Sequence, residues 1–188
     1  MPVLLEPQTA EHYTARNRQA IKAAIVDDFT VWGIEPQDRD EVARLVREHV
    51  PGAESFTRDD AMQQPGVVIK DLAGAIVAGA LYTHVSWAGS RVLLVTQVFT
   101  LPAYRGRGFA RIALGQLATA NATAGTPAQF LIGTCTTSTA PFFADSMCTV
   151  LSPGTPLPLA DLTGRAGNPE IPVPSSAKRA CWFYGKLS

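Results

Sequence analysis

A chain of 188 residues is long enough for one domain with a substantial core and short of two. Its 16 basic and 16 acidic residues cancel, so no charged surface suited to nucleic acid or an anionic membrane is expected. No apolar run is long enough to span a bilayer, and the first residues lack the basic start and apolar stretch of a signal peptide. Cys135, Cys148 and Cys181 are odd in number and widely spaced, which gives neither a zinc pattern nor a disulfide framework. A reduced, cytoplasmic setting without a metal is the expectation.

In chain order, residues 3–5 read as a short edge strand. Ala20, Ile21, Ala24, Ile25 and Phe29 recur at helical spacing, which predicts a first helix over about residues 15–29. An acidic stretch follows, with Asp27, Asp28, Glu35, Asp38 and Asp40 around Trp32 and Gly33. Asp38 and Glu41 have the spacing of a capping box, and Val42, Leu45 and Val46 form the stripe of a second helix that Pro51-Gly52 ends. Residues 54–66 are polar and suit a loop with a short helical turn. Residues 66–71 and 75–87 read as a hairpin through Leu72-Ala73-Gly74, and Ala88-Gly89-Ser90 turns the chain into the next strand.

That strand, residues 92–100, is rich in β-branched and apolar residues, and Pro102 marks its end. Gly106 and Gly108 permit a close turn, after which Phe109, Ile112, Ala113, Leu117 and Ala120 repeat at helical spacing. The start of a helix presents unpaired N–H groups and partial positive charge, so it attracts anions. Arg107 and Arg111 sit there although the macrodipole disfavours cations, an arrangement that makes sense around a polyphosphate. Beyond a loop at 121–127, residues 128–136 form a second buried strand and residues 138–147 a short helix. A proline-rich loop over 153–176 leads to a last strand at 178–187.

Arg105-Gly106-Arg107-Gly108-Phe109-Ala110 fits [Q/R]-x-x-G-x-[G/A] and, placed between a buried strand and an amphipathic helix, resembles the pyrophosphate turn of GNAT-type N-acetyltransferases. No Gly-Lys-Ser/Thr follows it, and it is not a full G-x-G-x-x-G fingerprint. The resemblance implies one α/β (α+β) domain over residues 1–188. Its sheet would be mixed, mostly antiparallel and twisted, with about six or seven strands, about four flanking helices and splayed central strands that open a CoA cleft. It implies acetyl-CoA as cosubstrate and a primary amine as acceptor, more readily a small molecule than a peptide. It also implies main-chain contacts from Val98, Phe99 and Thr100 to the pantetheine arm. Arg105, Gly106, Arg107, Gly108, Phe109, Ala110 and Arg111 would then surround the phosphates, and position 108 would have to let the backbone approach without a β-carbon. A non-catalytic CoA-binding module is the alternative, and a homodimer is compatible with either.

The resemblance breaks at the expected general acid. Phe143 stands where the family has a tyrosine, and Met147-Cys148 where it has Gly-Phe. Ser146, one helical turn on, is the hydroxyl proposed to replace it, with Cys135 as a potential nucleophile. The central strand offers Thr96 and Gln97 in place of a basic carboxylate, which leaves His84 as the candidate base. Asp27, Asp28 and Glu35, with Trp32 as a cation–π face, would border the acceptor pocket.

Overall fold

The computed structural model describes residues 2–87, 90–158, 162 and 179–187. Among them eight strands form one sheet: β1 (Val3–Leu5), β2 (Thr30–Gly33), β3 (Gly66–Lys70), β4 (Ile76–Trp87), β5 (Ser90–Thr100), β6 (Phe130–Cys135), β7 (Thr149–Leu151) and β8 (Cys181–Lys186). Five α-helices accompany it: α1 (Ala10–Val26), α2 (Arg39–His49), α3 (Arg58–Gln63), α4 (Phe109–Ala122) and α5 (Ala140–Ala144). The sheet order is β1-β7-β8-β6-β5-β4-β3-β2, and β5/β6 is its one parallel pair. This is the mixed, mostly antiparallel sheet expected, with one or two more strands.

Helices cover both faces. Phe109 and Ile112 of α4 pack with Ala20 and Ala24 of α1 on Ile69 and Ala78, while Leu114 and Leu117 reach Leu93 and Val95. On the opposite face Val42, Leu45 and Val46 of α2 meet Val68, Leu81 and Phe99. The period-2 alternation of β3, β4 and β5 supplies one buried row to each face, which is why these central strands are apolar almost throughout.

Several boundaries differ from the sequence reading. Helix α1 starts at Ala10 because the Thr9 side chain caps it, accepting from the His12 N–H at 3.2 Å. It ends at Val26, with Asp28 at φ 57°, and leaves Ile25 exposed. Asp38 does not cap α2. It accepts from the Glu35 N–H at 3.1 Å and from Lys70 Nζ at 2.7 Å, and so fastens the short 3-10 turn Pro36–Asp38 to β3. β2 lies inside the acidic stretch. All four of its residues are exposed, so no burial pattern marks it in the sequence, and pairing with β3 creates it. The expected turn at 88–89, most of the 153–176 loop and Lys178 fall outside the described residues.

Candidate active site

The site is a consequence of where β5 stops pairing. Val92 to Val95 run parallel to residues 130–133 of β6, and beyond Val95 no strand among the described residues pairs with that edge of β5. On the other edge, β4 pairs Leu81 with Gln97 but Tyr82 with Val95, so Thr96 is an extra residue that bulges the strand at the point of divergence. The resulting cleft has a volume of about 600 Å³. Val98, Phe99 and Thr100 form one wall, and Cys135, Phe142 and Phe143 belong to the β6–α5 side.

At one end of the cleft the chain turns into α4. Gly106 and Gly108 adopt φ of 79° and 83°, the left-handed region open to glycine at little cost. The N–H groups of residues 106–111 find no acceptor among the described residues. Arg105, Gly106, Gly108, Phe109, Ala110 and Arg111 all line the cleft. Arg107 does not. Its guanidinium pairs with Asp27 and lies over Phe29, 4.7 Å from the ring centroid, which locks the turn to the end of α1. The β-carbon that Gly108 lacks would meet Ala20 Cβ at 2.6 Å, so helix packing, and not only ligand space, demands glycine there.

Arg111 is buried, at 6% exposure, and its Nε has no partner. It shares one carboxylate with Arg16: Arg16 Nη1 is 2.6 Å from Asp145 Oδ2, and Arg111 Nη2 is 3.5 Å away. Burial lowers the Arg111 pKa, the Arg16 charge lowers it further, and Asp145 opposes both. Two guanidinium groups on one carboxylate leave net positive charge in the cleft wall, beside the free amides. Together with the unpaired edge of β5, these groups fit a ligand with an anionic head and an amide-bearing arm.

No protein-family model matches the sequence, and no curated protein is significantly similar to it. Solved structures resemble it over most of its length. A GNAT family N-acetyltransferase from Escherichia coli, solved in complex with CoA, superposes with a TM-score of 0.61 at 14% identity, over 86% of this chain and 82% of that one. A GNAT family acetyltransferase from Staphylococcus aureus gives 0.62 at 9% identity, over 85% of this chain and 99% of that one. The chain has the GNAT fold.

Within that fold, the candidate catalytic side chains lie away from the cleft. His84 does not line it. The imidazole packs edge-on against Tyr82, with ring centroids 5.4 Å apart, and its buried Nε2 meets no hydrogen-bond partner among the described residues. Burial, with the charge of Arg91, lowers its pKa. Position 84 belongs to the half of β4 that pairs with the start of β5, before the divergence, and that placement explains the difference. Ser146 is also outside. Its hydroxyl donates to the Phe142 carbonyl at 2.8 Å, a local bond that a serine at the end of a short helix readily makes. Phe143 does line the cleft, stacked on Phe183 with centroids 3.8 Å apart. Cys135 lines it too, but burial and neighbouring Cys181 push its thiol pKa up to about 12, which disfavours the thiolate that a nucleophile needs. Asp27, Asp28, Glu35 and Trp32 border neither cavity and lie at the β2 end of the sheet.

Sequence reasoning missed His49 and Arg179. His49, the last residue of α2, is the one imidazole among the described lining residues. Arg179 precedes β8 and lies beside the bulge. Its Nε donates to Pro51 O at 2.8 Å, Nη1 to Thr96 O at 3.1 Å and Nη2 to Gln97 Oε1 at 2.9 Å. It belongs to the wall shared with a second cavity of about 440 Å³, which Phe56, Gln64, Thr96 and Trp182 also line. No local pattern distinguishes either residue, because each reaches the site only through the packing of distant segments.

Proposed function

We propose that the protein is an acyltransferase that moves an acetyl group from acetyl-CoA to a primary amine. The observation that carries this reading is the row of acceptor-free amides at residues 106–111, ending a cleft that runs along the unpaired edge of β5. Gly106, Gly108, Phe109 and Ala110 would hold the pyrophosphate through main-chain N–H groups, with Arg105 and Arg111 adding charge. Val98, Phe99 and Thr100 would bond the pantetheine arm as an added strand. Bound acetyl-CoA supplies an activated acetyl thioester. In the transfer a C–N bond forms, the C–S bond breaks, and the proton lost by the amine ends on the sulfur. The chain's part is positioning and exclusion of water. The stacked Phe143 and Phe183 have no proton to give, so the sulfur would leave without an acid at position 143. A thiol pKa of about 8.5 makes that feasible.

A small acceptor is favoured over a protein tail by the size of the second cavity, which is within the range of small-molecule sites. Phe143 also favours a second reading, a CoA-binding module without turnover. Calorimetry with acetyl-CoA, joined to a thiol-release screen over a broad amine panel, tests both. Acetyl-CoA binding with amine-dependent thiol release is expected. Binding with only slow, amine-independent hydrolysis would favour the module, and no binding of any CoA species would overturn both.

A further inference from the structure

We propose that the acceptor amine carries an anionic oxygen group, a carboxylate or a phosphate, that docks on Arg179 in the cavity beyond β5. The proposal rests on the acyltransferase reading and names the substrate class of that site. Val95, Thr96, Gln97, Thr134 and Arg179 line both cavities, so a molecule in the smaller one meets the larger at the divergence of β5 from β6.

Arg179 is the cation of that shared wall. A guanidinium has five N–H donors, and among the described residues three are engaged, all with neutral acceptors: the carbonyls of Pro51 and Thr96 and the amide oxygen of Gln97. One N–H on each terminal nitrogen meets no acceptor among the described residues. These bonds fix the plane of the fork, so a bidentate oxyanion would meet a group already held in place. Burial lowers the Arg179 pKa while the Glu54 charge opposes the shift, so an anion bound there would further offset the desolvation of the guanidinium.

The rest of the smaller cavity has the same preference. Asp60 is its one carboxylate among the described lining residues, and it is occupied as a helix cap, accepting from the Thr57 N–H at 2.8 Å and the Thr57 hydroxyl at 2.7 Å. A wall with one guanidinium and one committed carboxylate among the described residues suits an anionic ligand. It offers little to the second ammonium of a polyamine.

The test compares acceptors that differ only in the tail. With the parent protein saturated with acetyl-CoA, thiol release is followed for α-amino acids, the same amino acids as carboxamides, O-phosphoethanolamine and putrescine. A carboxylate or phosphate tail should raise kcat/KM at least roughly tenfold over the carboxamide and putrescine, mainly through KM. The faster of the amino-acid and phosphoethanolamine arms identifies the anion. Arg179→Gln should bring the acid-to-carboxamide ratio to about one, and Arg179→Lys should retain part of it. The comparison on the parent protein needs no variant, so it stands if Arg179→Gln fails to fold. Equal use of carboxamides or putrescine would overturn the proposal, as would an unchanged ratio in a folded Arg179→Gln protein. Tight acetyl-CoA binding with no anionic amine acetylated would overturn it while leaving CoA recognition intact. Absence of acetyl-CoA binding would instead overturn the reading beneath it.

Discussion

Gly106 and Gly108 share a left-handed backbone but answer to different constraints. A β-carbon on Gly106 would meet nothing within 4 Å, whereas one on Gly108 would press on Ala20 of α1 at 2.6 Å. Gly106→Ala therefore pays only for its conformation, about 1–2 kcal/mol. Gly108→Ala adds a backbone-anchored clash and should be the less stable of the two. For a chain of this length each kcal/mol lowers the melting temperature by about 2–4 °C. Thermal melts of the two variants should thus separate by several degrees, and Ala20→Gly should recover part of the loss in the Gly108 variant alone. Equal melting temperatures would mean that α1 yields to the added methyl group. Arg107 belongs to the same junction: its pair with Asp27 and its place over Phe29 tie the turn to α1, so the loop reaches the cleft with its geometry already set.

Among the elements, α5 depends most on its neighbours. A five-residue helix is far below the length at which helices persist alone, so Phe143, stacked on Phe183 of β8, must hold it in place. Phe183 in turn occupies the space over Gly133 of β6, where a β-carbon would lie 2.3 Å from Phe183 Cζ and 2.9 Å from the Val95 carbonyl oxygen. Gly133→Ala should therefore displace the Phe183–Phe143 stack and strain the β5/β6 pair just before the two strands part. An overpacking cost of about 1–3 kcal/mol is expected, measurable as a lowered urea midpoint. Phe183→Leu in the same protein should recover part of it, because the clash with the ring is removed while that with the Val95 carbonyl stays. A Gly133→Ala protein as stable as the parent would show that the stack has room to shift.

At the scale of the molecule, the three thiols give stability a pH dependence of known sign. Cys135, Cys148 and Cys181 are buried in the same core as Phe183. Burial raises all three pKa values, those of Cys135 and Cys148 to about 12. An unfolded thiol ionises near 8.5, so below that pH folded and unfolded chains hold these protons alike and the contribution is complete. Between about 8.5 and 12 only the unfolded chain loses the Cys135 and Cys148 protons, and stability falls as pH rises. Urea unfolding should therefore give similar midpoints near neutral pH and a progressively lower one above about pH 9. Cys148→Ala should flatten that decline. In the native protein, alkylation of Cys148 and Cys181, which line neither cavity, should be slow compared with the unfolded chain. Fast native alkylation, or a flat alkaline profile, would contradict the burial described.

The glycine turn before α4 was legible in the sequence because its requirements are local. A buried strand, two glycines and an amphipathic helix follow one another without interruption, and steric rules for each residue already specify the strand–turn–helix unit over residues 92–120. The apolar alternation of β3, β4 and β5 was legible for the same reason, as was the α2 stripe of Val42, Leu45 and Val46. β2 and β7 were not, since one is fully exposed and the other only three residues long, and both exist through pairing with a neighbour. The far surroundings of the cleft were beyond local reading, although Thr96, Gln97, Cys135 and Phe143 do line it. His84 and Thr96 lie on adjacent strands, yet only Thr96 reaches the cleft, because pairing between β5 and β6 ends at Val95 and the bulge follows it. Arg179 stands 83 residues from Thr96 in the chain and meets its carbonyl at 3.1 Å. Local sterics and hydrophobic periodicity act over a few residues and are written in sequence order. The divergence of two strands, and the side chains that gather around it, arise from long-range pairing, and only the tertiary structure decided them.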